Sequence, residues 1–501
     1  MKIAFRVDAS EAIGTGHVMR CLSLADELTR FGASCRFIAR ALTPQLKLAL
    51  QEAGYRVDIL PASRYQSSDR SGLAHASWLQ ASLSQDAADT AEALAGEVMD
   101  WMVIDHYGID SRWGERLGGH ARRFAAIDDL ADRQLGVNVL VDQNFHPGHE
   151  NRYAGLVSGD SMQLLGPRFA LLRPEFRNSA SKSDRVHDGS RKVFVCLGGA
   201  APKSAVSKVV AALSAANIEG LVTLVAPGFM PADLPSTQAL EIKLLGHTKN
   251  MSTLLQEHDV AIGAGGGMLW ERLCLGIPSI VIGYAANQRQ GIASLLKAGL
   301  VKGSDDLASI SVEALGTIIR DALVDVDWQA HARTQGKMLV DGFGAPRVAA
   351  ALLGAELQLR RAKHDDALAI WPWRNDARTR RYSSNPAPLQ LQEHIDWWAR
   401  SVDNDKRHLF IGEIGSIPVG VIRFDLDANQ ATVSIYTDPH LSGSRIGTWL
   451  LRQGLIALAA SSPATRSVLA EINKANHASL ALFRSAGFEP QGENIFRLDL
   501  A

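Results

Sequence analysis

The sequence predicts an α/β protein in which two helix-wound parallel sheets follow one another and a differently textured third domain ends the chain. Three observations lead there. Short apolar strands alternate with helical stretches from residue 3 onward. A polar segment, Ser179 to Arg191, interrupts this alternation, which then restarts. Near Leu357 the pattern changes again, and four of the ten tryptophans, Trp371, Trp373, Trp397 and Trp398, fall in the stretch that follows.

With 501 residues and domains of about 100 to 200 residues, two or three units are expected. The chain is 46% apolar and 21% charged, enough to bury several cores. Its 52 Lys plus Arg against 53 Asp plus Glu give a charge of −1, which argues against nucleic acid or an anionic membrane as the main partner. Cys21, Cys35, Cys196 and Cys274 are scattered and form no C-x-x-C pair, so neither a disulfide framework nor a zinc knuckle is indicated and a reducing cytoplasm fits. The N-terminus carries charge inside its apolar stretch, and no uncharged apolar run approaches about 18 residues. No signal peptide or membrane span is therefore expected.

Residues 3 to 7 read as a strand. After Ile13-Gly14-Thr15-Gly16-His17 a helix begins, with Val18, Leu22, Ala25 and Leu28 on one face. Further strands are expected at Cys35 to Ala39, Trp101 to Asp105, Arg123 to Ile127 and Val137 to Val141. In the second half, Lys192 to Leu197 runs into Gly198-Gly199 and an alanine-rich helix, followed by strands at Leu221 to Val225 and Ile242 to Leu245. Asp259 to Ile262 leads into Gly263-Ala264-Gly265-Gly266-Gly267, a helix from Met268, and a strand from Ile277 to Ile282. In the last domain strands are expected at Leu357 to Arg361, Ala431 to Tyr436 and Val468 to Ile472, with helices at Thr448 to Ala460 and His477 to Ala486, the latter closed by Gly487. The expected domains are 1–178, 190–345 and 357–501.

Gly14-Thr15-Gly16 before a helix lets backbone approach a ligand, with free N–H groups behind it. Met19 stands where a dinucleotide fingerprint wants a third glycine, so a tight turn is the competing reading and a nicotinamide cofactor is not expected. His17, at a helix N-terminus, feels the positive end of the dipole, which favours the neutral imidazole that can accept a proton. His146 and His149 flank Pro147-Gly148 in a loop with no third ligand evident, so no metal is expected. Gly265-Gly266-Gly267 is a second anion-ready helix start. Glu271, about one turn further on, can accept bonds from two neighbouring hydroxyls or be a solvated helix glutamate.

These residues carry a resemblance. Arg6-Val7-Asp8-Ala9-Ser10, Ile13-Gly14-Thr15-Gly16-His17-Val18-Met19-Arg20-Cys21-Leu22, Val103-Ile104-Asp105-His106-Tyr107, Ile127-Asp128-Asp129-Leu130-Ala131-Asp132-Arg133, Asp142-Gln143-Asn144 and Ala264-Gly265-Gly266-Gly267 through Trp270-Glu271 resemble the UDP-sugar hydrolases of pseudaminic acid biosynthesis. Those enzymes cleave UDP from UDP-2,4-diacetamido-2,4,6-trideoxy-β-L-altropyranose, and the likeness covers residues 1 to about 345. It implies two Rossmann-like domains of glycosyltransferase B type with UDP held mainly by the second. It also implies His17 as the base that activates water, Tyr107 near the sugar and Glu271 on the ribose hydroxyls. Gly14, Gly16, Arg20, Asn144, Gly265, Gly266, Gly267, Asn287 and Gln288 complete the implied substrate contacts. Ala200-Ala201 stands where such proteins usually carry a polar residue, often Asp, after Gly198-Gly199, so no side-chain role is assigned there.

Residues 357 to 501 resemble the GNAT superfamily of N-acetyltransferases, most closely an amino-sugar acetyltransferase. The loop Ser442-Gly443-Ser444-Arg445-Ile446-Gly447 lies where that superfamily's backbone amides bind the coenzyme A pyrophosphate, though Arg445 occupies the place of an invariant glycine. Asn476-His477-Ala478-Ser479 and Phe483-Arg484-Ser485-Ala486-Gly487-Phe488 match its second signature. The implied acetyl-CoA contacts are Gly443, Ser444, Arg445, Ile446, Gly447, Asn476, Ser479 and Phe483. Phe483 stands where a tyrosine often serves as general acid and has no proton to give. Glu471, ending an expected strand, is the candidate base, with pairing to a nearby cation as the structural alternative. The tryptophans with Arg374-Asn375-Asp376 suit either a sugar and nucleotide pocket or plain core.

The sequence thus reads as a bifunctional enzyme. It acetylates the 4-amine of a UDP-linked 4-amino-4,6-dideoxy sugar with acetyl-CoA and hydrolyses the product by a metal-independent, inverting route. A B-type glycosyltransferase fused to an unrelated acetyltransferase, and a non-catalytic nucleotide-sugar sensor, are the competing readings.

Overall fold

A computed structural model of the chain describes residues 1–62, 72–180, 191–199, 201–234, 241–246, 248, 250–285, 288–383 and 385–500. Most of the polar segment 179–191, Ala200 and Asn287 lie outside the described residues. The chain forms two compact units, Met1–Asp26 with Ser34–Ala345, and Glu27–Ala33 with Pro346–Ala501.

The first unit holds two sheets. Strands β1 (Lys2–Val7), β2 (Ser34–Ala39), β3 (Arg56–Ile59), β4 (Trp101–Asp105), β5 (Phe124–Ile127), β6 (Val139–Asp142) and β7 (Met162–Leu165) lie in the order β3-β2-β1-β4-β5-β6-β7. Every pair in it is parallel. The second sheet, also parallel, takes β8 (Lys192–Cys196), β9 (Leu221–Val225), β10 (Glu241–Leu245), β11 (Val260–Ala264), β12 (Ser279–Ile282) and β13 (Lys302–Ser304) in the order β10-β9-β8-β11-β12-β13. Both orders reverse direction beside the first strand, and in such sheets ligands bind beyond the strands' carboxyl ends at that switch. Here β1 and β4 end at Val7 and Asp105, and β8 and β11 at Cys196 and Ala264.

The helix Gly16–Arg30 corrects one expectation. Val18, Ala25 and Leu28 are buried as the periodicity requires, but Cys21 and Leu24 complete the buried stripe while Leu22 is half-exposed. A stripe wider than about 100° takes in neighbouring rows. The expected strand from Ile277 begins at Ser279, because Pro278 has no N–H to give the ladder.

The second unit carries one mixed sheet, β14 (Gln358–Arg361), β15 (Arg407–Ile414), β16 (Ile417–Asp427), β17 (Gln430–Thr437), β18 (Ser467–Glu471), β19 (Glu489–Pro490) and β20 (Ile495–Asp499), ordered β14-β15-β16-β17-β18-β20-β19. Its pairs are antiparallel except β17 with β18. That parallel pairing ends at Val433 opposite Ala470, although β17 continues to Thr437. The two strands therefore part, leaving the last residues of β17 unpaired on that side.

The helical run Val326–Glu356 is long and apolar enough to cross a membrane by composition, and 72% of its apolar window is buried inside the protein. Burial of that kind suits a core helix.

Candidate functional site

The opening motif builds a charged scaffold under the first site. Arg6 is fully buried and reaches Asp8 at 2.7 Å and Asp86 at 2.7 Å. Asp8 Oδ1 in turn accepts the backbone N–H groups of Arg40 and Ala41 at 2.7 and 3.2 Å, tying β1 to the loop after β2. A buried guanidinium satisfied by two carboxylates is costly to disturb, so this network fixes the end of β1 from which residues 9–17 depart.

His17 sits at the start of the helix Gly16–Arg30, and Asp105 at the carboxyl end of the adjacent β4. His17 Nδ1 and Asp105 Oδ1 are 2.6 Å apart. Arg20 donates to both oxygens of the same carboxylate, each at 2.6 Å, and its Nη2 also lies 3.2 Å from Nδ1. The carboxylate contact is the shorter and a carboxylate only accepts, so Nδ1 carries a proton. Burial alone would raise the Asp105 carboxyl, but Arg20 and His17 hold it well below the ordinary carboxylate range. It stays charged. The helix start was visible in His17's position in the chain, and the carboxylate was not.

Tyr107 is buried edge-on to His17, with centroids 4.8 Å apart at 77°. Its hydroxyl donates to Asp129, and burial together with that carboxylate pushes the phenol well above its usual range. Asn144 Nδ2 donates to the other Asp129 oxygen at 3.1 Å, so Tyr107 and Asn144 share one anchor. Trp78 stacks on Tyr107 at 5.6 Å and stands edge-on to His17 at 6.4 Å. Asp105, Asp129 and Trp78 are the residues sequence reasoning left without roles. The first two lie inside quoted motifs, whereas nothing local marks Trp78.

In the second sheet β11 runs into Gly265-Gly266-Gly267 and the helix Gly267–Cys274. Packing demands the first glycine, since a Cβ on Gly265 would lie 2.6 Å from Ile292. It does not demand the third, whose Cβ would meet nothing within 4 Å. The mouth of this helix is therefore open. Gln288 lies beside it, its Nε2 3.7 Å from where a Gly266 Cβ would be, and its Oε1 is buried without a partner among the described residues. Glu271 is no solvated helix glutamate: Arg173 reaches it at 3.3 Å, and burial raises its carboxyl against that pull. His146 is buried, with its ring pushed down to about 4 by desolvation and Arg152. Among the described residues no group of three or more His, Cys, Asp or Glu is arranged to hold a metal.

In the second unit, Gly443 has φ +90° and Arg445 φ +59°, after which the helix Ile446–Ser461 begins. Arg445 adopts the left-handed backbone that glycine normally supplies, so the turn is kept despite the substitution. First-turn N–H groups such as those of Ile446 and Gly447 have no intrahelical partner. Ser444 is buried and its hydroxyl donates to Leu441 O at 2.6 Å, turning the side chain into the loop. Asn476 caps its helix by accepting from Ser479 N at 3.1 Å. Phe483 is buried edge-on against Phe488 at 5.0 Å, so its ring is core. Glu471 is exposed at the end of β18, beside the parting of β17 and β18.

The tryptophans divide. Trp398 is fully buried and bonded to Lys363 O, whereas Trp397 is flanked by Arg407 and Arg423 at 5.6 and 5.4 Å. Asn375 and Asp376 are spent on local structure, holding Leu389 N and capping Arg378 N. Arg374 with Arg423 opposes the desolvation that raises the Tyr436 phenol.

Residues 356–489 match the family model described as an acetyltransferase (GNAT) domain. This part of the chain is a GNAT acetyltransferase domain. Over 60% of its length the chain is homologous to a UDP-2,4-diacetamido-2,4,6-trideoxy-β-L-altropyranose hydrolase of Campylobacter jejuni, 24% identical over 316 residues that cover 97% of the relative. An uncharacterized protein of Methanocaldococcus jannaschii is 21% identical across 98% of this chain and 97% of its own length. For fold, MurG of Acinetobacter baumannii superposes with a TM-score of 0.50 at 12% identity, covering 70% of this chain and 99% of that one. The chain therefore joins a GNAT acetyltransferase domain to a hydrolase-like region of glycosyltransferase B fold.

Proposed function

We propose that the chain carries out two consecutive steps of pseudaminic acid biosynthesis. The GNAT domain acetylates the 4-amine of UDP-4-amino-4,6-dideoxy-N-acetyl-β-L-altrosamine, and the hydrolase-like region cleaves the diacetamido product to free sugar and UDP. In the first step Glu471 takes one proton from the sugar's ammonium group directly or through water, the freed amine nitrogen attacks the thioester carbonyl of acetyl-CoA, and as the C–S bond breaks a second proton from that nitrogen passes to the sulfur, so that coenzyme A leaves as the thiol. In the second, His17 Nε2 accepts a proton from water, whose oxygen attacks the anomeric carbon as the bond to UDP breaks. One base and no carboxylate nucleophile give inversion.

The observation that supports the hydrolytic half is the 2.6 Å contact of His17 Nδ1 with a buried Asp105, which orients the ring so that its other nitrogen can serve as the base. The open helix start at Gly266 and Gly267 suits the departing diphosphate, because backbone N–H groups and the dipole favour negative charge there. Glu271 and Gln288 suit the ribose and the nucleotide. The acetylating half rests on the GNAT match over 356–489 and on the left-handed turn at Gly443 to Arg445.

Incubation of the whole chain with acetyl-CoA and the UDP-amino sugar, followed by NMR, tests the reading. The expected course is loss of the free amine, then appearance of UDP and free diacetamido sugar with inverted anomeric configuration. UDP release that requires an added acceptor would replace hydrolysis with glycosyl transfer, and binding without turnover would replace it with a sensor.

A further inference from the structure

The guanidinium of Arg272 is a buried cation with no ion-pair partner among the described residues. The residue is 0% exposed. Nη2 donates to Ala264 O at 2.8 Å, while Nε and Nη1 have no hydrogen-bond partner among the described residues. Glu271 acts on it only through space, since Arg173 holds that carboxylate, and burial pushes the Cys196 thiol up so that it stays uncharged. Burial correspondingly lowers the guanidinium to about 10.

Its place explains what the charge could do. Side chains on a helix lean toward its N-terminus, and Arg272 runs back from the helix Gly267–Cys274 to lie under the end of β11. There Nη1 would be 2.0 Å from a Cβ on Gly263, so the bare glycine backbone makes the room. The guanidinium thus sits just below Gly265-Gly266-Gly267, beside the positive end of the helix dipole. Two positive sources share one spot, and an orphaned buried charge is expensive unless something pairs with it.

We propose that Arg272 is the buried charge that a diphosphate group neutralises when it settles on the Gly265-Gly266-Gly267 turn, making it a positioning residue that selects anionic phosphate chains over uncharged ligands of like shape. This rests on the reading of that turn as a nucleotide diphosphate site. It acts through the field rather than by contact, so Met in its place should remove selectivity without emptying the site.

Calorimetry with UDP, inorganic diphosphate and uridine on the whole chain, beside thermal melts without ligand, tests it with R272M and R272K. R272M should bind UDP and diphosphate about 10- to 100-fold more weakly, bind uridine as before, and melt no lower than the parent. R272K should recover most of the anion affinity. Equal UDP binding by R272M and the parent, or equal losses for uridine and UDP, would overturn the inference, as would a parent that binds uridine as well as UDP. Parent protein that takes diphosphate with nothing gained from the uridine would instead sink the nucleotide reading and leave the role of Arg272 standing.

Discussion

His17 and Asp105, 88 residues apart in sequence, meet at 2.6 Å where the first helix starts beside the carboxyl end of β4. His17→Asn should lower UDP release by at least about 100-fold while leaving UDP affinity nearly unchanged. Asp105→Asn should do the same by freeing the wrong tautomer, and it should also lower the melting temperature, because Arg20 loses its buried partner. Hydrolysis rates beside UDP calorimetry check both, and near-normal turnover in either would remove the pair from catalysis. The same activity should survive EDTA.

Asp142 supplies a pH test. Burial raises its carboxyl to about 7 against the Asn144 N–H, with Asp129 adding to the rise. The folded value lies above the unfolded one near about 4, so between them the native chain holds a proton the unfolded chain has lost. This contribution is fully present below the lower value and lost as pH rises through the upper one, on the order of a few kcal/mol. Asp142→Asn carries the neutral form throughout, so its melting temperature relative to the parent should climb from roughly pH 4 to roughly pH 7. A constant difference would show that Asp142 does not titrate in that window.

Glu271→Ala should weaken UDP binding by about 10- to 100-fold, the scale of lost charged hydrogen bonds. Acetyl-CoA binding should not change. Arg173 retains Glu175 at 3.0 Å, so the fold should tolerate the change. Unchanged UDP calorimetry would return Glu271 to a purely structural pairing with Arg173.

Arg445→Gly should leave the melting temperature equal or higher and the KM for acetyl-CoA nearly unchanged, since φ +59° suits glycine. Arg445→Val should cost about 1 to 2 kcal/mol. A large rise in KM for the glycine variant would mean that the arginine side chain itself touches the cofactor.

Glu471→Gln should slow acetylation more than it weakens acetyl-CoA binding, seen as a fall in kcat with little change in KM. Rates equal to the parent would leave Glu471 as an exposed strand end.

Local pattern determined much of this protein. Apolar runs such as Trp101 to Asp105 and Leu221 to Val225 announced strands, and glycines at 14, 265 and 443 announced turns, because both signals depend on neighbours a few residues away. Motif residues such as His17 and Glu271 stood out for the same reason. Only the folded chain could bring Asp105 to His17, Asp129 to both Tyr107 and Asn144, or Arg173 to Glu271, since each partnership joins separate elements. It also turned Ser444 and Phe483 inward and buried Arg272 with no carboxylate in contact among the described residues. Burial and charge balance are properties of the packed whole, and no window of sequence contains them.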